Sequence, residues 1–173
     1  MRIRPMSRSD RPAVKATLGG VGVFSDEEVA TACELIDTYL DDPGQKEYII
    51  DVCEGQDGEV LGYVCWGKKP LTEGVYDLYW VAVSPSRHRR GVGAALMRHV
   101  EARILDRGGR MLLIETSSTG PYDAARALYE RMGCSLVARV PDFYRVGDDL
   151  ELYCKRLGPN GGGSAGSAHH NPE

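Results

Sequence analysis

The sequence predicts an α/β domain built around a mixed β-sheet, and three observations support that prediction. Short segments rich in β-branched and aromatic residues are bounded by Gly, Pro and Asp, which is typical of strands. Other segments repeat apolar residues at helical spacing, as Val29, Cys33, Ile36 and Leu40 do. The two kinds of segment follow one another in the order β-α-α-β-β-β-α-β-α-β-β, which indicates helices packed on a sheet.

The first half of the chain is predicted to form four strands and two helices. A capping box at Ser25–Glu28 begins the second helix, which should run to about Asp41. An Asp-Gly step at Asp57-Gly58 predicts a hairpin turn between two strands. The predicted strands are 3–5, 48–54, 60–66 and 75–83, and the first helix starts near residue 9 and is interrupted at 19–22.

The second half carries the one predicted parallel crossover. A helix begins at Gly91 and closes at Gly108-Gly109, between the strand 75–83 and an apolar strand at 111–115. The remaining predicted elements are a helix at 121–132 and strands at 135–140 and 150–155, joined by a polar loop at 141–149. We expect residues 1–157 to form one domain and the Gly/Ser/His-containing segment 158–173 to be a disordered tail.

Composition places the chain among ordinary soluble proteins. Hydrophobic residues make up 42% and charged residues 27% of its 173 residues, and the formal net charge is −4. That charge argues against a nucleic-acid partner. The N-terminus lacks a signal-peptide pattern and no apolar run approaches the ~20 residues of a membrane span, so we expect a cytoplasmic protein without membrane contact. The five cysteines are dispersed, which predicts neither a disulfide framework nor a metal site.

A glycine turn between a strand and a helix is the main candidate for ligand binding. The strand end at 81–85 leads into Arg90-Gly91-Val92-Gly93, and a helix that starts at glycines presents unpaired N–H groups to an anion. Arg89 and Arg90 add charges suited to phosphate. The pattern lacks the third glycine of a dinucleotide fingerprint and the Gly-Lys-Ser/Thr of a P-loop. A solvated basic loop is the alternative interpretation.

Two motifs together resemble the GCN5-related N-acetyltransferase (GNAT) family. Val81-Ala82-Val83-x-Pro85 followed by Arg90-Gly91-Val92-Gly93-x-x-Leu96 is similar to the family's acetyl-CoA-binding motif, and Ala125–Gly133 is similar to its second signature. The resemblance implies a GNAT fold, with a mixed, mostly antiparallel central sheet of about seven strands and helices on both faces. It also implies an enzyme that transfers an acetyl group from acetyl-CoA, as co-substrate, to a primary amine of a small molecule or peptide. The alternative is a non-catalytic acyl-CoA-binding regulatory module on the same fold.

The resemblance also implies which residues contact the co-substrate. Four positions depart from the family pattern. His88 stands where Gln or Arg is usual, Arg89 stands where a further glycine is common, and Cys134 replaces the phenylalanine that usually follows the last glycine of the second signature. Tyr122 stands where many relatives carry an Asn that contacts the cofactor. The residues expected to bind acetyl-CoA are Val81, Ala82, Val83, His88, Arg89, Arg90, Gly91, Val92, Gly93, Ala94, Tyr122 and Arg126. No metal is expected.

The catalytic candidates are one tyrosine and two carboxylates. Tyr129 occupies the tyrosine position of the second signature, whose hydroxyl in many relatives faces the thioester sulfur, so we expect it to be the general acid. A lysine-like amine is protonated at neutral pH, so a base is needed, and Asp77 and Glu115 are the candidates. Each candidate also has a purely structural interpretation. Tyr129 could serve core packing, and each carboxylate could form an ion pair or face solvent.

The acceptor is not specified by these motifs. Acceptor specificity is expected in three segments, 19–41, 68–74 and the final hairpin. Acidic residues in them, such as Asp41, Asp42 and Glu73, suit a cationic amine. Because dimers are common among relatives, the resemblance also allows a homodimer.

Overall fold

A computed structural model describes residues 1–87 and 90–158 of the chain. Within them the seven strands form a single sheet in the order β1-β2-β3-β4-β5-β7-β6. The strands are β1 (Arg2–Pro5), β2 (Ile49–Glu54), β3 (Val60–Lys68), β4 (Val75–Val83), β5 (Met111–Ser117), β6 (Ser135–Arg145) and β7 (Asp148–Arg156). The helices are α1 (Arg11–Gly20), α2 (Asp26–Asp41), α3 (Val92–Asp106) and α4 (Asp123–Arg131).

The predicted fold class is confirmed. Among the strands of the described residues, only β4 and β5 pair in parallel, and the other neighbouring strands pair antiparallel. The parallel pair is the one joined by α3, as the crossover predicted. His88, Arg89 and the predicted tail from residue 159 onward lie outside the described residues.

Two hydrophobic cores cover the two faces of the sheet. One contains Leu96, Val100 and Ile104 of α3 together with Tyr129 of α4. The other contains Val14 and Leu18 of α1 and Ile36 of α2, packed on alternate residues of β2 and β3. Strand alternation therefore directs neighbouring side chains such as Val52 and Cys53 of β2 to opposite helix layers. No helix in the described part of the chain is both long and apolar enough to cross a membrane.

The centre of the sheet opens at one point. In the ladder between β4 and β5 the last matched pair is Leu78 with Ile114, although both strands continue beyond it. On the other side of β4, Cys65 pairs with Trp80 and Trp66 pairs with Leu78, so Tyr79 is the extra residue of a β-bulge. A bulge bends its strand and increases its twist. The bulge therefore coincides with the divergence of β4 from β5, and this divergence is called the splay below.

The final hairpin departs from the sequence-based expectation. The nine residues 141–149 were expected to form a loop, whereas β6 continues to Arg145 and β7 begins at Asp148. Asp142 takes a left-handed conformation with φ of 51°, and Gly147, with φ of 82°, makes the turn. The Asp142 carboxylate accepts a hydrogen bond of 2.7 Å from the Gly147 backbone N–H. Polar residues that predict a loop are used here to bend a continuous hairpin.

Candidate active site

The start of α3 has the geometry expected of an anion-binding turn. Gly91 is the N-cap of α3 and has φ of 79°, a left-handed conformation that glycine adopts without strain. Gly91 itself has no side chain to cap this helix end, and the first backbone N–H groups of an α-helix have no partner within the helix. A Cβ placed on Gly91 would meet no heavy atom of the described residues within 4 Å, so on their side the backbone is open to a ligand. The adjacent Arg90 is exposed.

The second glycine of the turn serves packing. A Cβ on Gly93 would lie 3.1 Å from Leu128 Cδ2 and 3.7 Å from Val83 Cγ2. Glycine therefore lets α3, α4 and the end of β4 come together. Val92 and Ala82, two other residues expected to contact the co-substrate, have buried side chains, which leaves only their backbone groups for that contact.

The two candidate bases stand on either side of the splay and on the same face of the sheet. Asp77 pairs with Leu113 in the β4–β5 ladder, and Glu115 follows two residues later on β5. Strand spacing puts their Cα atoms roughly 8 Å apart. Lys69 Nζ lies 3.2 Å and 3.1 Å from the two carboxylate oxygens of Asp77. The Glu115 carboxylate has no hydrogen bond or ion pair among the described residues, and the side chain is exposed.

Tyr129 is buried between α4 and β7. Its ring lies 5.8 Å from that of Tyr153, and its exposed fraction is 6%. Burial raises the pKa of the Tyr129 hydroxyl well above its ordinary value, and Cys134 and Tyr153 add to the rise. The phenol is therefore protonated throughout the neutral range, which a proton donor requires. In the described part of the chain no hydrogen-bond partner of this hydroxyl is found.

Arg126 and Tyr122, both expected to bind the co-substrate, have partners within the protein. Arg126 Nη1 donates hydrogen bonds to the carbonyl oxygens of Ser117 and Thr119, which holds the end of β5 against α4. Tyr122 lies in a 3-10 turn after β5, and its hydroxyl donates a hydrogen bond of 2.6 Å to Glu28 Oε1 on α2. Both side chains thus shape the walls of the splay, and a direct contact of either with the co-substrate stays a prediction.

Three aromatic rings and one carboxylate span the splay, and they are called the aromatic–carboxylate cluster below. Trp80 comes from β4 beyond the bulge, Tyr122 follows β5, and Phe24 and Glu28 come from the α1–α2 loop and the first turn of α2. The Phe24 ring is 5.1 Å from Trp80 and 6.3 Å from Tyr122, at interplanar angles of 72° and 65°. All four residues are half-buried.

The Glu28 carboxylate is held in its charged form. Burial opposes the charge, but hydrogen bonds from Tyr122 and Ser25 outweigh it and lower the pKa of Glu28. Tyr144, on the final hairpin, has a pKa raised by burial and by the charges of Glu115, Asp148 and Glu28. The final hairpin, expected to help set acceptor specificity, therefore lies within electrostatic range of Glu28 and Glu115.

Sequence reasoning missed most of this cluster. Glu28 was assigned only to the capping box, which the structure confirms, because its Oε2 accepts from Ser25 N at 2.8 Å. Phe24 and Trp80 carry no motif, and the contact between them depends on the bulge in β4. The acidic residues that the sequence suggested for the acceptor, Asp41, Asp42 and Glu73, are exposed, and Asp41 is paired with Arg8. Among the described residues no group of three or more metal-ligating side chains is found.

Comparison with known proteins identifies the family. A family model described as the acetyltransferase (GNAT) family matches residues 17–134. The solved structure of a Desulfovibrio desulfuricans protein assigned to the GNAT family is 37% identical, has a TM-score of 0.86, and is matched over 91% of this chain and 99% of that chain.

More distant relatives share the fold. The ribosomal-protein-S18-alanine N-acetyltransferase of Escherichia coli is 21% identical with a TM-score of 0.71, over 92% of this chain and 97% of its own. An aminoglycoside 6'-N-acetyltransferase complexed with coenzyme A is 17% identical with a TM-score of 0.71. The match covers 92% of this chain and 99% of that chain. The S-(2-succino)cysteine N-acetyltransferase of Bacillus subtilis is 27% identical over 82 residues, which is 45% of this chain and half of that relative.

Proposed function

The chain belongs to the GNAT acetyltransferase family, and on that basis we propose that it transfers an acetyl group from acetyl-CoA to a primary amine of a small molecule or peptide. Family membership makes it an acyl-CoA-dependent N-acyltransferase with acetyl-CoA as co-substrate. The observation that supports the proposal most is the splay, which opens the sheet next to an uncapped helix start. A homodimer, which the resemblance allowed, stays a proposal.

The residues present fit acetyl-CoA. The uncapped N–H groups at the start of α3 and the open backbone at Gly91 suit a pyrophosphate, which is stabilised by the positive end of a helix dipole. Arg90 adds an exposed cation at the same turn. Beyond the splay, Val81 lies on a stretch of β4 that no longer pairs with β5, where an extended pantetheine chain has room to add as a strand does. When bound, acetyl-CoA supplies the activated acyl group as a thioester.

We assign the general base to Glu115 in preference to Asp77. A base must accept the proton of the acceptor's ammonium group, directly or through one water. Both oxygens of Asp77 already face the Lys69 ammonium, whereas Glu115 has no such partner among the described residues. Glu115 is also the first residue of β5 past the last β4–β5 pair. Asp77 remains the second candidate.

Tyr129 is proposed as the general acid that protonates the departing thiolate. Its buried phenol keeps its proton at neutral pH, so it can donate one but cannot act as a base there. The buried side chain is also shielded from water, which strengthens a hydrogen bond to a developing negative charge.

Two measurements test the proposed function. Isothermal titration should show acetyl-CoA binding, and thiol release should accompany acetylation of at least one amine in a panel that includes S-(2-succino)cysteine, the amine named for the B. subtilis relative. Absence of acetyl-CoA binding, or of thiol release with every amine, would contradict the proposal.

The base assignment is tested by pH–rate profiles. Glu115→Gln should lower kcat about 100-fold at neutral pH and remove the acidic limb of the profile, because the group whose deprotonation limits the rate is gone. Asp77→Asn should cost less and keep that limb. A larger loss in Asp77→Asn than in Glu115→Gln would instead assign the base to Asp77.

A further inference from the structure

The position of the aromatic–carboxylate cluster bears on the class of acceptor. Trp80 stands on the strand at one side of the splay, Tyr122 follows the strand at the other side, and Phe24 contacts both rings. The cluster therefore bridges the opening at which acyl transfer is proposed. The Phe24 ring contacts the other two rings edge to face and each residue is half-buried, so part of each side chain stays accessible to a ligand from solvent.

The chemistry of the cluster suits a cation. Aromatic rings attract an ammonium group within about 6 Å of their centroids, and Trp does so most strongly. Glu28 adds a full negative charge beside these rings. Its two present hydrogen bonds leave lone pairs available, since a carboxylate accepts up to about four. Charges from the other elements that surround the splay are mostly negative: Glu115 is unpaired among the described residues, and Arg145, the nearby cation, lies 3.4 Å from Asp148.

The reacting amine is the wrong group to place in this cluster. An amine must pass its proton to a base before it attacks a thioester. The Glu28 carboxylate accepts hydrogen bonds from Tyr122 and Ser25 and has a lowered pKa, so it favours the protonated amine without being suited to accept its proton. The cluster would therefore oppose the reaction if it held the nucleophile. It would favour the reaction if it held a second ammonium group that stays charged throughout.

We propose that Phe24, Glu28, Trp80 and Tyr122 bind a second, non-reacting cation of the acceptor, so that the substrates of this enzyme are amines that carry at least two positive charges. This inference rests on the proposed function, because it assigns the acceptor class of the same site. Glu28 and Trp80 act as specificity-determining residues: the carboxylate supplies the charge and the ring supplies the apolar wall. Acceptors with additional carboxylates are disfavoured by the same charge.

Matched amines test the proposal. With wild-type enzyme, kcat/KM for putrescine should exceed that for butylamine at least about tenfold. This is the factor expected when a second ammonium group makes a desolvated cation–π contact and pairs with a carboxylate. Aspartate, an anionic amine, should be a poorer acceptor than butylamine. Equal turnover of putrescine and butylamine, or a preference for aspartate, would overturn the inference.

Variants separate charge recognition from folding. Glu28→Gln keeps an oxygen for the capping box and removes the charge, and it should reduce the putrescine-to-butylamine ratio about tenfold, mainly through the KM of putrescine. Trp80→Leu should reduce the ratio in the same direction. Glu27→Gln, at the exposed neighbouring position in the same helical turn, is the matched control and should leave the ratio unchanged. A ratio unaffected by Glu28→Gln would contradict the assignment.

A binding measurement keeps the two proposals distinguishable. Putrescine should quench or shift Trp80 fluorescence saturably in the presence of CoA, and Glu28→Gln should weaken that binding about tenfold relative to Glu27→Gln. If wild-type enzyme acetylates no amine yet binds putrescine in this way, the proposed function fails and the cation site stands. If acetylation of other amines proceeds and putrescine gives no saturable change, the cation site fails and the function stands.

Discussion

The Tyr129 hydroxyl has no hydrogen-bond partner among the described residues, and this defines a first prediction. The Tyr129 side chain is buried in the core between α4 and β7. An unpartnered hydroxyl of this kind is available to donate its proton to the leaving thiolate. Tyr129→Phe should therefore lower kcat about 100-fold, leave the Kd of acetyl-CoA within about twofold, and not reduce thermal stability.

A neighbouring tyrosine supplies the control for that measurement. The Tyr153 ring lies 5.8 Å from Tyr129, but its hydroxyl is directed to Glu130 and Glu151, at 3.4 Å from each. Tyr153→Phe removes a hydroxyl from the same core without touching the proposed proton path, so kcat should stay near the wild-type value. Similar kcat values for Tyr129→Phe and wild-type enzyme would exclude Tyr129 as the general acid.

The two ends of α3 offer a matched comparison of strain and ligand binding. Gly91 at the start has φ of 79° and Gly108 just after the end has φ of 70°, and neither position has a heavy atom within 4 Å of an added Cβ. Alanine at either position should cost about 1–2 kcal/mol, because the left-handed conformation crowds a Cβ against the backbone. Only Gly91→Ala should also weaken acetyl-CoA binding, by about tenfold, since only that end supplies the proposed phosphate contacts.

Thermal unfolding and isothermal titration on the two variants would resolve the roles of the glycines. We expect both variants to lose the same amount of stability and only Gly91→Ala to lose affinity for acetyl-CoA. An equal loss of affinity in Gly108→Ala would mean that the helix as a whole, rather than its first turn, limits binding.

Among the elements, those with local signals were predicted well. The capping box Ser25–Glu28 and the glycine turn at Gly91 were read directly from residue chemistry, because both depend on neighbours within four positions. The bulge at Tyr79 was not predicted, because it exists only in the pairing of β4 with β3. It shifts Trp80 toward Phe24, which explains why the aromatic–carboxylate cluster was also missed. The continuous β6 was missed because Pro141 and Asp142 are typical of loops.

At the scale of the whole molecule, one ion-pair network ties the outer strands to the helix layer. Arg4 of β1 donates hydrogen bonds to Asp10, at 2.7 Å and 3.0 Å, and to Glu54 of β2 at 3.0 Å. Asp10 precedes α1 and also accepts from the backbone N–H and the hydroxyl of Ser7, at 2.8 Å and 2.7 Å. The Asp10 side chain is only 7% exposed, so solvent screens these contacts weakly. The network should contribute to the stability of the entire domain.

The pH dependence of unfolding tests that contribution. The Arg4 guanidinium, followed by the Ser7 hydrogen bonds, lowers the pKa of Asp10 from 3.8 to about 2 against the effect of burial. The folded state thus binds fewer protons than the unfolded state, so the stabilisation is complete above about pH 4 and is lost as the pH falls toward 2. Asp10→Asn should lower the free energy of unfolding by about 2 kcal/mol at neutral pH and by almost nothing near pH 2. Urea denaturation across this range is the measurement. Asp57→Asn is the control, because Asp57 is exposed in the β2–β3 turn, and its free energy of unfolding should match that of wild type at every pH. If the free energy of unfolding of Asp10→Asn is still lower than that of wild type at pH 2, Asp10 contributes through packing and not through its charge.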